Sequence, residues 1–220
     1  MKKILSVVFA VVISTGLFAT KGLVITQKYT DATAKGAAIT MTWYVTETQC
    51  KMKMSYADGD VNSNTYFIPD IAGAKLLTYS DGVAPGGGER KFYSVPVQGI
   101  KPAIEVSRVS VNQTGETKTI GGMLCQKVII KTNRTTTEMW ITQDFKADFY
   151  KFYPFFQSSY ELLGLNDQSL QGVPLESVTK DNGGTVISSL QLVTVTNSDL
   201  SAGDFTVPAE YRSADVSTAK

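Results

Sequence analysis

From residue 38 onward the chain is dominated by short runs in which apolar and polar side chains alternate. Cys50, Met52, Met54 and Tyr56 alternate with Lys51, Lys53 and Ser55. Just before them Ile39, Met41, Trp43 and Val45 alternate with threonines and Tyr44. A period of two places one set on each face of a strand, so such runs form half-buried β-strands rather than helices. Glu47-Thr48 between these two runs predicts a hairpin. Further strand candidates are Leu23 to Tyr29, Thr65 to Ile68, Lys75 to Tyr79, Arg90 to Val97, Ile104 to Val111, Met123 to Thr132, Thr135 to Thr142, Val173 to Lys180 and Thr185 to Thr196. Turn residues punctuate them: Ala57-Asp58-Gly59-Asp60, Pro69-Asp70, Asp81-Gly82, Gly115, Gly121-Gly122, Asn133-Arg134 and Asp181-Asn182-Gly183-Gly184. Asn-Gly is the strongest short hairpin signal.

One segment departs from this pattern. Between Asp144 and Leu165, Phe149, Phe152, Tyr153, Phe156, Tyr160 and Leu163 recur at spacings of three and four. That is a helical stripe, with Asp144 placed to cap its start, Gly164 to end it and Pro154 to split it. The expected fold is therefore α+β and mostly β: an antiparallel sheet, curved into an open half-barrel, with helices covering its concave face.

The N-terminus reads as a processing segment. Lys2 and Lys3 precede the apolar run Ile4 to Ile13, and small residues recur up to Ala19. This layout is that of a Sec-type signal peptide, residues 1–19, too short to span a bilayer. Neither cysteine stands near the cleavage region, so the product is expected to be periplasmic or secreted rather than lipid-anchored. No later apolar run is long enough for a transmembrane segment. Residues 20–220 are then one domain.

Composition narrows the chemistry. The 220 residues carry 21 Lys and Arg against 20 Asp and Glu, for a net charge of +1. That balance lacks the electrostatic footprint of a nucleic-acid binder. There is no histidine, which removes the commonest general base and the commonest metal ligand together. We read no catalytic residue, metal site or cofactor from the sequence. The two cysteines, Cys50 and Cys125, are either a disulfide, worth roughly 4 kcal/mol in the chain-entropy view, or buried thiols that act as small hydrophobes.

Apolar bulk remains. Ten Phe, ten Tyr, six Met and two Trp supply either an ordinary packed core or a hollow for an apolar ligand. For a hollow, the candidate lining residues are Trp43, Met52, Met54, Trp140, Phe149, Phe152, Phe156 and Tyr160.

The C-terminal half carries a resemblance. Glu116-Thr117-Lys118-Thr119-Ile120-Gly121-Gly122-Met123-Leu124-Cys125-Gln126-Lys127, then Glu138-Met139-Trp140-Ile141-Thr142, is similar to the pattern "T-K-T-I-x-G-[YM]-x-C-x-K" followed by "E-x-W-x-T". That pattern belongs to an uncharacterised family of secreted Bacteroidetes proteins, DUF4412-like. The ending Phe205-Thr206-Val207-Pro208-Ala209-Glu210-Tyr211 resembles one seen in the LolA/RseB-like lipoprotein carrier superfamily. The resemblance implies a half-barrel plugged by helices, whose hollow holds acyl chains of lipoproteins or other lipids, without covalent chemistry. Two functions are thus expected to compete. One is an exported, non-enzymatic carrier for a lipid, lipoprotein or other apolar ligand. The other is a structural or protein-interaction module of the cell envelope with a fully packed core, its partner an envelope protein.

Overall fold

The hairpin expected at Glu47-Thr48 is present, joining β2 (Ala38–Val45) to β3 (Cys50–Asp58). Thr46 builds the turn: its hydroxyl accepts from the Gln49 backbone N–H at 3.0 Å. The computed structural model describes residues 19–32, 38–58, 61–82, 89–96, 110–147, 151, 152, 155 and 172–214. The expected signal segment lies outside them, apart from Ala19.

The remaining strands are β1 (Thr20–Asp31), β4 (Val61–Asp70), β5 (Lys75–Ser80), β6 (Lys91–Pro96), β7 (Ser110–Ile120), β8 (Met123–Lys131), β9 (Thr135–Thr142), β10 (Pro174–Asp181), β11 (Val186–Leu200) and β12 (Arg212–Ala214). They form one open sheet in the order β12-β6-β5-β4-β3-β2-β1-β11-β10-β9-β8-β7. Every pairing is antiparallel except that of β12 on β6. The mostly-β, antiparallel expectation therefore holds.

Register places the alternating apolar sets on one face. Ile25 stands opposite Trp43, and Trp43 opposite Met52. One step along, Gln27 faces Met41 and Met41 faces Met54. Met52 in turn faces Phe67. On the far half of the sheet Met139 lies between Val128 and Ser177, and Ser177 faces Leu190. We call this the inner face. Its side chains form a buried cluster that runs from Leu76 on β5 to Ile130 on β8 and continues, at the β7–β8 end of the sheet, onto Ile120 and Cys125 of the opposite face.

The sheet folds over this face. Gly121, in the tight turn between β7 and β8, has φ +58°, and a Cβ placed on it would lie 2.6 Å from both Leu192 and Val195 of β11. In the strand order β10 and β9 separate β8 from β11, yet the hairpin tip rests on β11. Val195 faces Ile25 and Leu192 faces Gln27, so the contact is on the inner side. A twisted sheet of twelve strands curls in this way.

The opposite, outer face is covered over part of its area by the C-terminal segment. After β11 the chain makes a 3-10 turn, Ala202–Phe205, against β3, then reaches β6. That path passes five intervening strands, a distance of about 29 Å at the usual strand spacing. Tyr211 packs with Ile68, Tyr79, Tyr66, Leu77 and Phe92 in a second, smaller cluster. Its hydroxyl donates to the Ser80 carbonyl at 3.2 Å.

Two expectations need correction. The helices over the concave face are not supported. Asp144 caps no helix: its carboxylate accepts from the Leu124 backbone N–H and ties the chain after β9 to β8. The one complete helical element among the described residues is the 3-10 turn Ala202–Phe205, and it sits on the outer face. Gly164 and most of the aromatic stripe lie outside the described residues. Gly115 does not close a loop either. It is part of β7, at φ +77°, where the register with β8 shifts between Gln113 and Thr117. The left-handed conformation lets the strand bulge and continue.

Candidate functional site

The inner face is the candidate site, because three adjacent strands concentrate adaptable apolar side chains there. β1, β2 and β3 bring Ile25, Trp43 and Met52 into one cross-strand row, and Gln27, Met41 and Met54 into the next. Cross-strand neighbours on one face stand about 5 Å apart, close enough for these side chains to pack. Methionine has three rotatable bonds and a polarisable sulfur, so such a surface can reshape around different apolar partners. Leu23, Ile25, Met52, Met139 and Leu175 are wholly shielded from water.

Among the described residues this face carries no charged side chain between the strand ends. Its polar members are neutral. The hydroxyls of Thr137 and Thr179 lie 3.0 Å apart, both buried. Ser177 stands diagonally beside them, between Met139 and Leu190. Gln27 donates through Nε2 to the carbonyls of Pro174 and Leu175 at 2.8 and 2.9 Å.

The expected lining residues are brought together only in part. Trp43, Met52 and Met54 share the inner face. Phe152 is almost wholly buried in the same cluster, and Phe155, three residues on, is buried there too. Phe149, Phe156 and Tyr160 lie outside the described residues. Trp140 packs against the edge of the same cluster but from the other face: on β9 it alternates with Met139 and Ile141 and stands opposite Lys127 and Glu176.

There Trp140 is the centre of a charged group. The Nζ of Lys118 stands 4.4 Å from its ring centroid and that of Lys127 5.9 Å. Lys118 pairs with Glu176 at 2.7 Å, Lys127 with Glu138 at 3.1 Å and with Glu116 at 3.5 Å, and Lys180 with Glu138 at 3.3 Å. Hydrogen bonds from Lys127 and then Lys180 hold the Glu138 carboxyl below the usual carboxylate range. Every ammonium in this group has a carboxylate partner, so it locks four strands together rather than presenting free charge.

Cys50 and Cys125 are free, buried thiols, not a disulfide. Cys50 faces Val45 on the inner side. Cys125 alternates with Lys127, stands beside Lys118 and Thr142, and so belongs to the outer side, six strand positions away. Burial, then the carboxylates of Asp144 and Glu176, push the Cys125 thiol up to about 11. Burial also raises that of Cys50. Neither is a nucleophile at neutral pH.

The residues missed by sequence reasoning are the polar ones: Gln27, Thr137, Ser177 and Thr179, all buried. A lone Gln, Ser or Thr in a strand gives no signal of which face it takes.

The motif of the β7–β8–β9 hairpins is thus gathered on one face, Lys118, Cys125, Lys127, Glu138, Trp140 and Thr142 together. A family model for a domain of unknown function, DUF4412, matches residues 96–211. The chain belongs to the DUF4412 family. This DUF4412 protein matches no curated protein. Its fold is similar to that of an uncharacterized conserved protein from Thermus thermophilus, at 10% identity and a TM-score of 0.50, over 90% of this chain and 91% of that one. PNGF-II gives 16% identity and a TM-score of 0.49, over 90% of this chain and 32% of that one. The complex of MucA and MucB from Pseudomonas aeruginosa gives 12% and 0.49, over 86% and 56%. The chain therefore spans about a third of the PNGF-II chain and just over half of the MucA/MucB one. At these identities the likeness is one of fold.

Proposed function

We propose that this DUF4412 protein is a non-enzymatic binding or carrier protein of the periplasm or cell envelope, which takes an apolar ligand such as a lipid or acyl chain on the inner face of its sheet. The observation that carries the reading is the pair of rows Ile25–Trp43–Met52 and Gln27–Met41–Met54, uncharged and on the side over which the β7–β8 turn at Gly121 reaches β11. The N-terminal Lys2-Lys3 and the apolar run behind them support export. The lack of histidine and the inert thiols favour binding over covalent chemistry. Outside the cytoplasm an acyl chain needs shielding from water, worth about 0.8 kcal/mol for each methylene buried.

Gentle purification from the compartment where the protein accumulates, followed by organic extraction and mass spectrometry, tests this directly. A stoichiometric apolar molecule is expected. A chain that carries none, and takes up none from vesicles, contradicts it.

A second reading has its own observation. The complete shielding of Leu23, Ile25, Met52, Met139 and Leu175 also fits a filled interior, with the protein serving as an interaction module of the envelope. In that case chemical crosslinking captures a protein partner and extraction yields no ligand.

A further inference from the structure

The inner face is neutral as well as largely apolar. Between the strand ends its described side chains are apolar or neutral, with no lysine or arginine to meet an anion. A carboxylate or phosphate moved there leaves water without a counter-charge, which is costly. One neutral group is nevertheless ready to bond. Ser177 is 92% buried, since its relative exposure is 8%, and it lies between Met139 and Leu190 on this face. Among the described residues its hydroxyl makes no hydrogen bond, and because no fully buried polar side-chain atom is left unbonded, this oxygen keeps a small accessible surface. On the same strand, two residues on, Thr179 bonds to Thr137 at 3.0 Å. Two hydroxyls that bond each other still leave one hydrogen to donate. The result is a small neutral donor–acceptor patch set in an otherwise apolar surface.

Building on the binding function above, we propose that the ligand is an uncharged amphiphile. Its ester, amide or hydroxyl group sits against Ser177 and the Thr137–Thr179 pair, its hydrocarbon runs along the methionine rows, and the face rejects chains whose buried end is a free carboxylate or phosphate. Ser177 donates to the ligand carbonyl, or accepts from a ligand hydroxyl, and the bond is strengthened by the exclusion of water.

The test uses the full chain carrying Trp140→Phe, so that Trp43 alone reports. Monoolein and oleate, which share one hydrocarbon chain and differ in charge, are titrated at pH 8 below their aggregation limits. Monoolein is expected to bind at least tenfold more tightly. Ser177→Ala, checked for folding by circular dichroism, is expected to reduce that preference several-fold, and Ser177→Thr, which keeps the hydroxyl, to restore it. Equal binding of the two probes, or an unchanged preference in Ser177→Ala, overturns this inference while the apolar-carrier reading stands. Binding of neither probe overturns both.

Discussion

The side-chain amide of Gln27 donates to the carbonyl of Leu175 across 2.9 Å, reaching from β1 to β10 although β11 lies between them. The same nitrogen bonds the Pro174 carbonyl at 2.8 Å. Two irregularities make this possible. β10 pairs with β11 only from Ser177 onward, which leaves its first carbonyls without ladder partners on that side. β11 also shifts register against β1 at Thr26/Gln27. Gln27 fills the gap from the inner face. Gln27→Leu keeps the volume but orphans two buried carbonyls, and each unsatisfied group costs roughly 1–3 kcal/mol. We expect urea unfolding to show a loss of about 2–4 kcal/mol; a loss below about 0.5 kcal/mol would mean that the carbonyls are satisfied without Gln27.

The contact of the β7–β8 turn with β11 predicts a difference between two adjacent glycines. Gly121→Ala adds a Cβ that meets Leu192 and Val195 at 2.6 Å, on a backbone at φ +58°. Gly122 has φ +82° and open space around it. Gly122→Ala therefore costs only the left-handed conformation, about 1–2 kcal/mol, and Gly121→Ala costs more by a further 1 kcal/mol or so for the forced shift. Equal losses in thermal or urea unfolding would show that the β7–β8 tip does not rest on β11.

Much of this architecture was readable from alternation. The runs around Trp43 and Met52 announced both their strands and their inner face, because every second residue is apolar and the others are lysine, serine or threonine. Trp140 was misplaced although the signal was there: Glu138, two residues earlier on the same face, marks that side as solvated. Gly121 gave no such hint. Its role depends on a contact with β11, some 70 residues away in sequence, and turn chemistry alone does not encode it. Gln27 and Ser177 were silent for a related reason, since a polar residue in a strand is exposed by default and is buried only where tertiary structure supplies its company.

The Trp140 group should be a modest stabiliser. Its ion pairs are largely exposed, and such pairs contribute about 0–1 kcal/mol each. Glu138 is the acceptor for both Lys127 and Lys180. Glu138→Gln is expected to cost about 1 kcal/mol or less, with the loss shrinking in high salt. Because the folded carboxyl titrates below its ordinary value, its contribution is present above the unfolded pKa and fades as pH falls through the folded one. Wild type and Glu138→Gln should therefore converge in stability at acid pH. A gap that is unchanged by salt and by acid contradicts the electrostatic account.

Cys125 predicts the alkaline side. Its thiol titrates near 11 in the fold against a reference value of 9.0, so the folded state holds the proton more tightly. Its stabilising contribution is complete below about pH 9 and is lost as pH rises from there through 11. The urea midpoint of the wild type should drop more between pH 8 and pH 10.5 than that of Cys125→Ser. Parallel declines would show that this thiol is not desolvated.

The most direct measurement of the central claim uses the two tryptophans as opposite-face reporters. Trp43 is buried on the inner face beside Met52, and Trp140 lies on the outer face beneath Lys118. Single-tryptophan chains, Trp140→Phe and Trp43→Phe, are titrated with a neutral lipid brominated along its acyl chain, since bromine quenches indole only at close range. An acyl chain held on the inner face quenches Trp43 and leaves Trp140 bright. Quenching of Trp140 alone, or of neither, would contradict it.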